Sequence, residues 1–195
     1  MNSQAATLRL AVFPRAGLIT DALLVLAGTG LVAASAQISI KLPFTPVPIT
    51  GQTFSVLLVG ASLGSLLGST SMLLYLLLGA AGAPIYAHHA HGWREISGAT
   101  GGYIVGFVAA AAVTGFLARR QWDRKLSSAI AIMLTGNVII YLVGLPWLAV
   151  DLSTNLEKTL EYGLYPFVPG DIFKLYLAAA LLPGAWWIVE RTGRR

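Results

Sequence analysis

From Phe54 to Ala83 the chain runs without one charged side chain. It does so again from Gly101 to Leu117 and from Leu126 to Val150. Runs of this kind constrain the fold more than any other feature. In lipid every backbone N–H and C=O must be satisfied internally, and a helix does this within a single segment. Only 11% of the residues are charged and 56% are hydrophobic, whereas a soluble domain carries about 25% charged residues. The chain cannot cover a surface with charge, so it reads as an all-α integral membrane protein in a lipid bilayer. With no cysteine there is no disulfide framework and no thiol chemistry. The net charge of +5 does not point to nucleic acid, because the basic residues sit at the ends of apolar runs, where they read as topology signals.

Six spans are expected, at 18–37, 54–67, 71–83, 101–117, 126–150 and 172–189, forming one transmembrane domain over 1–195. Arg9, Arg15 and the Ala34-Ser35-Ala36 stretch resemble parts of a secretory leader. The apolar run between them exceeds the usual ~7–15 residues, so it is read as a retained first helix. Met1 to Ala16, mixed in polarity, is expected at the surface. The long run from Phe54 would be about 45 Å as one helix. It is therefore divided at Gly68-Ser69-Thr70-Ser71 into two short central spans. Gly60, Gly64 and Gly68 form a small-residue row of the kind that lets helices approach closely in lipid, as do Gly102, Gly106 and Ala110 on the fourth span. With six spans and cytoplasmic termini, Arg9, Arg15, Arg119, Arg120, Arg124, Lys125, Arg191, Arg194 and Arg195 fall inside, as the positive-inside rule requires. Five spans would place the Arg119–Lys125 cluster opposite the N-terminus.

This topology gathers three irregular segments at one outer mouth. The first is Lys41-Leu42-Pro43-Phe44-Thr45-Pro46-Val47-Pro48, whose prolines exclude a regular helix. It is either a rigid connector or a loop folded over a cavity, with Thr45, Thr50 and Gln52 as polar handles. The second holds His88, His89 and His91. Their spacing fits no usual zinc pattern, so no metal site is assigned. Arg94 there is a loop charge or an anion contact. The third is Pro166-Phe167-Val168-Pro169-Gly170-Asp171-Ile172-Phe173-Lys174. Asp171 and Lys174, three apart, share a helix face. At the edge of a span, ionisable groups must face water or pair. Tyr103 starts the fourth span. Asn137, one turn before Tyr141 on the fifth, serves helix contact or ligand contact. Aromatics Phe44, Tyr86, Trp93, Tyr103, Tyr165 and Phe167 are available as walls.

No catalytic constellation is present: there is no H-E-x-x-H, no G-x-x-x-x-G-K-[ST] and no ordered Ser/His/Asp set. The chain therefore reads as a non-enzyme without a cofactor. Without the P-loop motif it cannot bind and hydrolyse ATP by that route. Gly30 and Ala34, four apart on the first span, suit helix docking or internal packing.

Four stretches in order carry a resemblance. They are the proline segment through Ile49-Thr50-Gly51-Gln52-Thr53; Tyr75-Leu76-Leu77-Leu78-Gly79-Ala80-Ala81-Gly82-Ala83-Pro84-Ile85-Tyr86; Thr100-Gly101-Gly102-Tyr103-Ile104-Val105-Gly106-Phe107; and Pro166 through Lys174. Together they resemble the BioY family, the biotin-specific S components of energy-coupling factor transporters. The resemblance implies a multi-pass protein of the cell membrane that binds biotin from outside. It also implies partnership with a transmembrane coupling subunit and two cytoplasmic ATPases. Asp171 and Lys174 match the family's ligand pair, with Tyr103, Gln52, Asn137 and Arg94 as further candidates, Arg94 for the carboxylate. The family's glycine-rich loop after Tyr86 is histidine-rich here. Two alternatives stand beside this reading: an S component for another vitamin, and a structural membrane protein whose Asp171–Lys174 pair only caps a helix.

Overall fold

The computed structural model describes residues 7–15 and 17–192. Residues 1–6, 16 and 193–195 lie outside the described residues, and with them Arg194, Arg195 and part of the expected N-terminal surface stretch. What is described of that stretch is not all surface. A short helix α1 (Leu8–Val12) begins under a Thr7 cap, and Thr7 is buried.

Helix α2 (Leu18–Gln37) leads into a two-residue antiparallel pairing of β1 (Ser39–Ile40) with β2 (Ile49–Thr50). Then come α3 (Gln52–Leu63), α4 (Ser65–Ala80), the short α5 (Trp93–Ser97), α6 (Gly101–Ala118), α7 (Leu126–Leu152), α8 (Leu156–Gly163) and α9 (Val168–Thr192). Four of these, α2, α6, α7 and α9, are long and apolar enough to cross a membrane. At 1.5 Å per residue, α3 and α4 reach only about 18 and 24 Å. Large apolar side chains point outward: Leu18, Ile19, Leu142, Val150 and Phe173 are each more than two-thirds exposed. Water would not tolerate so much contiguous apolar surface on a monomer; lipid does.

The break between α3 and α4 is at Gly64, not at Gly68-Ser69-Thr70-Ser71. Gly64 has φ +86° and ψ 175°, a region open essentially to glycine alone. The expected turn stays helical, and its hydroxyls bond back within the helix. Ser69 donates to the Leu66 carbonyl, Thr70 to Leu66 and Ser71 to Leu67. Gly68 serves contact instead: a Cβ on it would lie 2.8 Å from Gly60 Cα. Likewise a Cβ on Gly60 would lie 2.7 Å from Ala111 Cα, and one on Gly115 2.3 Å from Ser65 N. With no hydrophobic drive between helices in lipid, such close approach is what holds them. Helix α6 is thereby central, flanked by α3, α4 and α7. Its row of Gly102 and Gly106 faces Trp147, Ile140 and Val143 of α7.

The last helix starts at Val168 rather than at the expected 172, with the Asp171 N–H donating to the Phe167 carbonyl at 2.8 Å, so Lys174 lies beyond the first turn. Trp186, near its other end, is buried and donates to Asp123 Oδ2 at 2.6 Å. Trp187 is exposed under the Arg191 guanidinium, 3.8 Å from the ring centroid. The contacts of Trp186 and Arg124 tie the α6–α7 connection to the C-terminal end of α9.

Candidate functional site

A cavity of about 400 Å³ opens at the end of the bundle away from that connection. The proline segment forms one side of it, contributing residues from Lys41 to Thr53, so this segment folds over a hollow. Two bonds hold it there. Thr45 Oγ1 donates to the Tyr162 carbonyl at 2.7 Å and accepts from Val47 N. The β1–β2 pairing closes its base, matching Ser39 to Thr50 and Ile40 to Ile49. Helices α6, α7 and α9 and the 81–100 connection supply the rest.

The floor is a polar cluster around Asp171, which is 5% exposed. Lys174 Nζ lies 2.6 Å from Asp171 Oδ1 and donates to the Thr50 carbonyl at 3.0 Å. Thr53 Oγ1 donates to the same carboxylate oxygen at 3.4 Å. The other oxygen accepts from the Tyr141 hydroxyl and, at 3.3 Å, from Asn137 Nδ2. All four lone-pair positions of the carboxylate are engaged. The three-residue spacing sets the ion pair locally, while Asn137 and Tyr141 reach it from α7 and Thr53 from α3. The buried Asn137 Oδ1 has no partner among the described residues, which is costly to leave so.

Aromatic groups line the walls. Tyr103, in the first turn of α6, donates to the Gly163 carbonyl at 2.9 Å and stands edge-on to Tyr141. Tyr86 donates to the Leu76 carbonyl at 2.6 Å and stands edge-on to Tyr75, ring centroids 5.3 Å apart. Burial pushes the Tyr86 phenol up to about 12, with the nearby Glu95 carboxylate adding to the shift, so it stays a donor at neutral pH. Its ring sits directly on Gly79, where a Cβ would lie 2.1 Å from Tyr86 Cζ. Gln52 Nε2 donates to the Tyr75 hydroxyl at 2.7 Å, and that hydroxyl donates to the Ile85 carbonyl.

The expected residues are thus mostly gathered. Asp171, Lys174, Gln52 and Tyr103 line the cavity, and Asn137 stands behind Asp171. Arg94 does not join them. It is exposed on α5 and lies off the cavity wall, which its neighbour Glu95 lines instead. On a helix, adjacent residues point about 100° apart, so only one of the two can face inward. Of the candidate aromatics, Tyr86, Tyr103 and Phe167 line the wall, while Phe44, Trp93 and Tyr165 are exposed. Sequence reasoning missed Thr53 and gave Tyr141 no site role. Tyr141 carried a signal, since it lies four residues after Asn137 and so shares its face. No cluster of three or more His, Asp or Glu able to hold a metal occurs among the described residues.

Comparison with known proteins adds the following. The pattern of a family described as the BioY family matches residues 2–191. A probable biotin transporter BioY of Pyrococcus horikoshii is 40% identical over 151 residues, covering 77% of this chain and 86% of its own. The biotin transporter BioY of Thermotoga maritima is 37% identical over 155 residues, covering 78% and 88%. The solved S-component for biotin from an ECF-type ABC transporter superposes with a TM-score of 0.76. It covers 91% of this chain and 92% of that one at 24% identity, a likeness of fold.

Proposed function

The chain belongs to the BioY family, and on that premise we propose that it is the biotin-binding S component of an energy-coupling factor transporter. It is a multi-pass membrane protein and a transport subunit rather than an enzyme. The observation that carries the reading is the buried Asp171–Lys174 pair at the floor of the cavity. Biotin's ureido ring presents two N–H donors and one carbonyl acceptor. A carboxylate takes the former and an ammonium supplies the latter, as charge-assisted hydrogen bonds. Because every lone-pair position of Asp171 is already engaged, ligand N–H groups must replace existing donors. The long contacts from Thr53 and Asn137 yield first, while the Tyr141 and Lys174 bonds hold the carboxylate in place. The partnerless Asn137 Oδ1 is a further acceptor beside it. A cavity of this size is within the usual range for small ligands, about 300–1,000 Å³. Tyr86, Tyr103, Phe107 and Phe167 suit the apolar faces of the bicycle.

The finer topology belongs to the same proposal: six crossings, both ends cytoplasmic, one transmembrane domain. Helix α3 starts at the cavity floor with Gln52. It ends at Gly64, where a Cβ would come within 3.2 Å of Thr7. Helix α4 returns toward Tyr86. The two short helices therefore each traverse the bundle. Arg9, Arg119, Arg120, Arg124, Lys125 and Arg191 then share the face opposite the cavity, in line with the positive-inside rule. The chain's partners on that face are a transmembrane coupling subunit and two ATPases. Gly30 and Ala34 of α2 are exposed, and a Cβ on Gly30 would meet nothing within 4 Å, which suits close docking of a partner helix.

Thermal unfolding of the detergent-extracted protein with a vitamin panel tests the reading. A ligand at 100 times its Kd stabilises by about 2.7 kcal/mol. Biotin alone is expected to raise Tm. A rise with another vitamin and none with biotin would reassign the ligand, and no rise with any would leave the pair a structural device.

A further inference from the structure

Resting on the biotin reading, we infer that Lys41 and His88 form the subsite for the ligand's carboxylate at the outer mouth. A ligand with a polar ring at the floor and an acid on a flexible chain needs a second anchor further out. Lys174 is not available, because Asp171 and the Thr50 carbonyl take two of its N–H donors and the ureido carbonyl takes the third. Arg94 is off the wall. The remaining ammonium on the cavity wall is Lys41, which is exposed and has no ion pair or hydrogen bond among the described residues. Its place follows from the hairpin register. Thr50, whose carbonyl anchors Lys174, pairs with Ser39. Lys41 lies two residues beyond Ser39, just past the end of that strand, about 7 Å from the level of the floor anchor if the chain continues extended.

His88 lines the same mouth from the opposite connection. Ser39 Oγ lies 3.1 Å from its Nδ1. With the serine hydroxyl donating, the imidazole carries its proton on Nε2, and Nε2–H is then a donor for a carboxylate. The loop holding it is built at a cost. His88 and His89 have φ of 57° and 59°, a left-handed conformation that glycine takes freely and L-residues resist. This is where the family resemblance implies glycine. The conformation persists because Gln37 pins the loop. Its amide donates to the Ile85 and Tyr86 carbonyls and accepts from His89 N at 3.2 Å. Strain held in place by surrounding bonds is characteristic of functional positions. Glu95, also on the wall, repels an acid and so confines it to the Lys41–His88 side.

The test compares biotin with its primary amide, biotinamide, by calorimetry on the detergent-solubilised protein, for wild type, His88→Gly, Lys41→Gln and the pair. Glycine suits the left-handed position, so His88→Gly removes the imidazole without straining the loop. Each single variant is expected to weaken biotin binding about five- to tenfold. Biotinamide affinity should stay unchanged, and the biotin effect should shrink in high salt. Wild-type biotin affinity in the pair overturns the subsite and leaves the proposed function standing. Equal losses for biotin and biotinamide also overturn it, since the residues would then act only on the shape of the mouth. A wild-type protein that binds neither compound overturns both readings.

Discussion

Removing Lys174 alone is expected to damage the protein more than removing Lys174 and Asp171 together. At 2.6 Å, two unit charges attract by about 6 kcal/mol at an effective dielectric near 20. Desolvation offsets most of that, because both side chains are largely buried. In Lys174→Met, Asp171 keeps only the neutral donors Thr53, Asn137 and Tyr141. A buried charge left without its partner costs about 3–5 kcal/mol, and replacing both charges is often nearly neutral. The three remaining donors favour the low end, about 3 kcal/mol. For a chain of this length, 1 kcal/mol moves Tm by about 2–4 °C, so the single variant should lose roughly 6–12 °C. Asp171→Asn/Lys174→Met should recover more than half of that loss, while its biotin affinity stays at least ~100-fold down, because both charge-assisted bonds are gone. Thermal unfolding and calorimetry on the same samples separate the two effects. A double variant no more stable than Lys174→Met would refute the reasoning, since the carboxylate would then not depend on its cation.

Gly64→Ala is expected to lower stability by about 1–3 kcal/mol, because no L-residue rests easily at φ +86°; an unchanged Tm would mean the helix break tolerates a side chain. Tyr75→Phe should cost about 1–2 kcal/mol by orphaning Gln52 Nε2, and full retention of Tm would show that water takes over that donor. Burial holds the Asp123 carboxyl above the usual carboxylate range, against the Trp186 hydrogen bond that draws it down. The folded state then binds this proton more tightly than the unfolded one. The group's contribution is therefore most favourable below about pH 4, declines as pH rises to the raised folded value, and is flat above it. Asp123→Asn should lose that decline in a plot of Tm against pH; an identical slope in the variant would assign the decline to other groups.

The long apolar runs were legible as helices because a helix satisfies its hydrogen bonds within one segment, whatever surrounds it. The helices Gly101–Ala118 and Leu126–Leu152 lie where uncharged runs lie, and Leu18–Gln37 carries a single charge, Asp21. The Asp171–Lys174 pair was legible for the same reason, since three residues of helix bring the two side chains together without help from the rest of the chain. Other features were decided only by packing. Four hydroxyl and glycine residues at 68–71 spell a turn, yet the close contact of Gly68 with Gly60 keeps them helical and moves the break to Gly64. Thr53, Asn137 and Tyr141 reach Asp171 from other helices across 118, 34 and 30 residues. Whether Arg94 or Glu95 faces the cavity depends on the rotation of a five-residue helix. Local spacing carries hydrogen bonds and charges that meet within one turn. Contacts between helices depend on how closely the backbones approach and how each helix is rotated, and those quantities belong to the assembled bundle, not to any one segment.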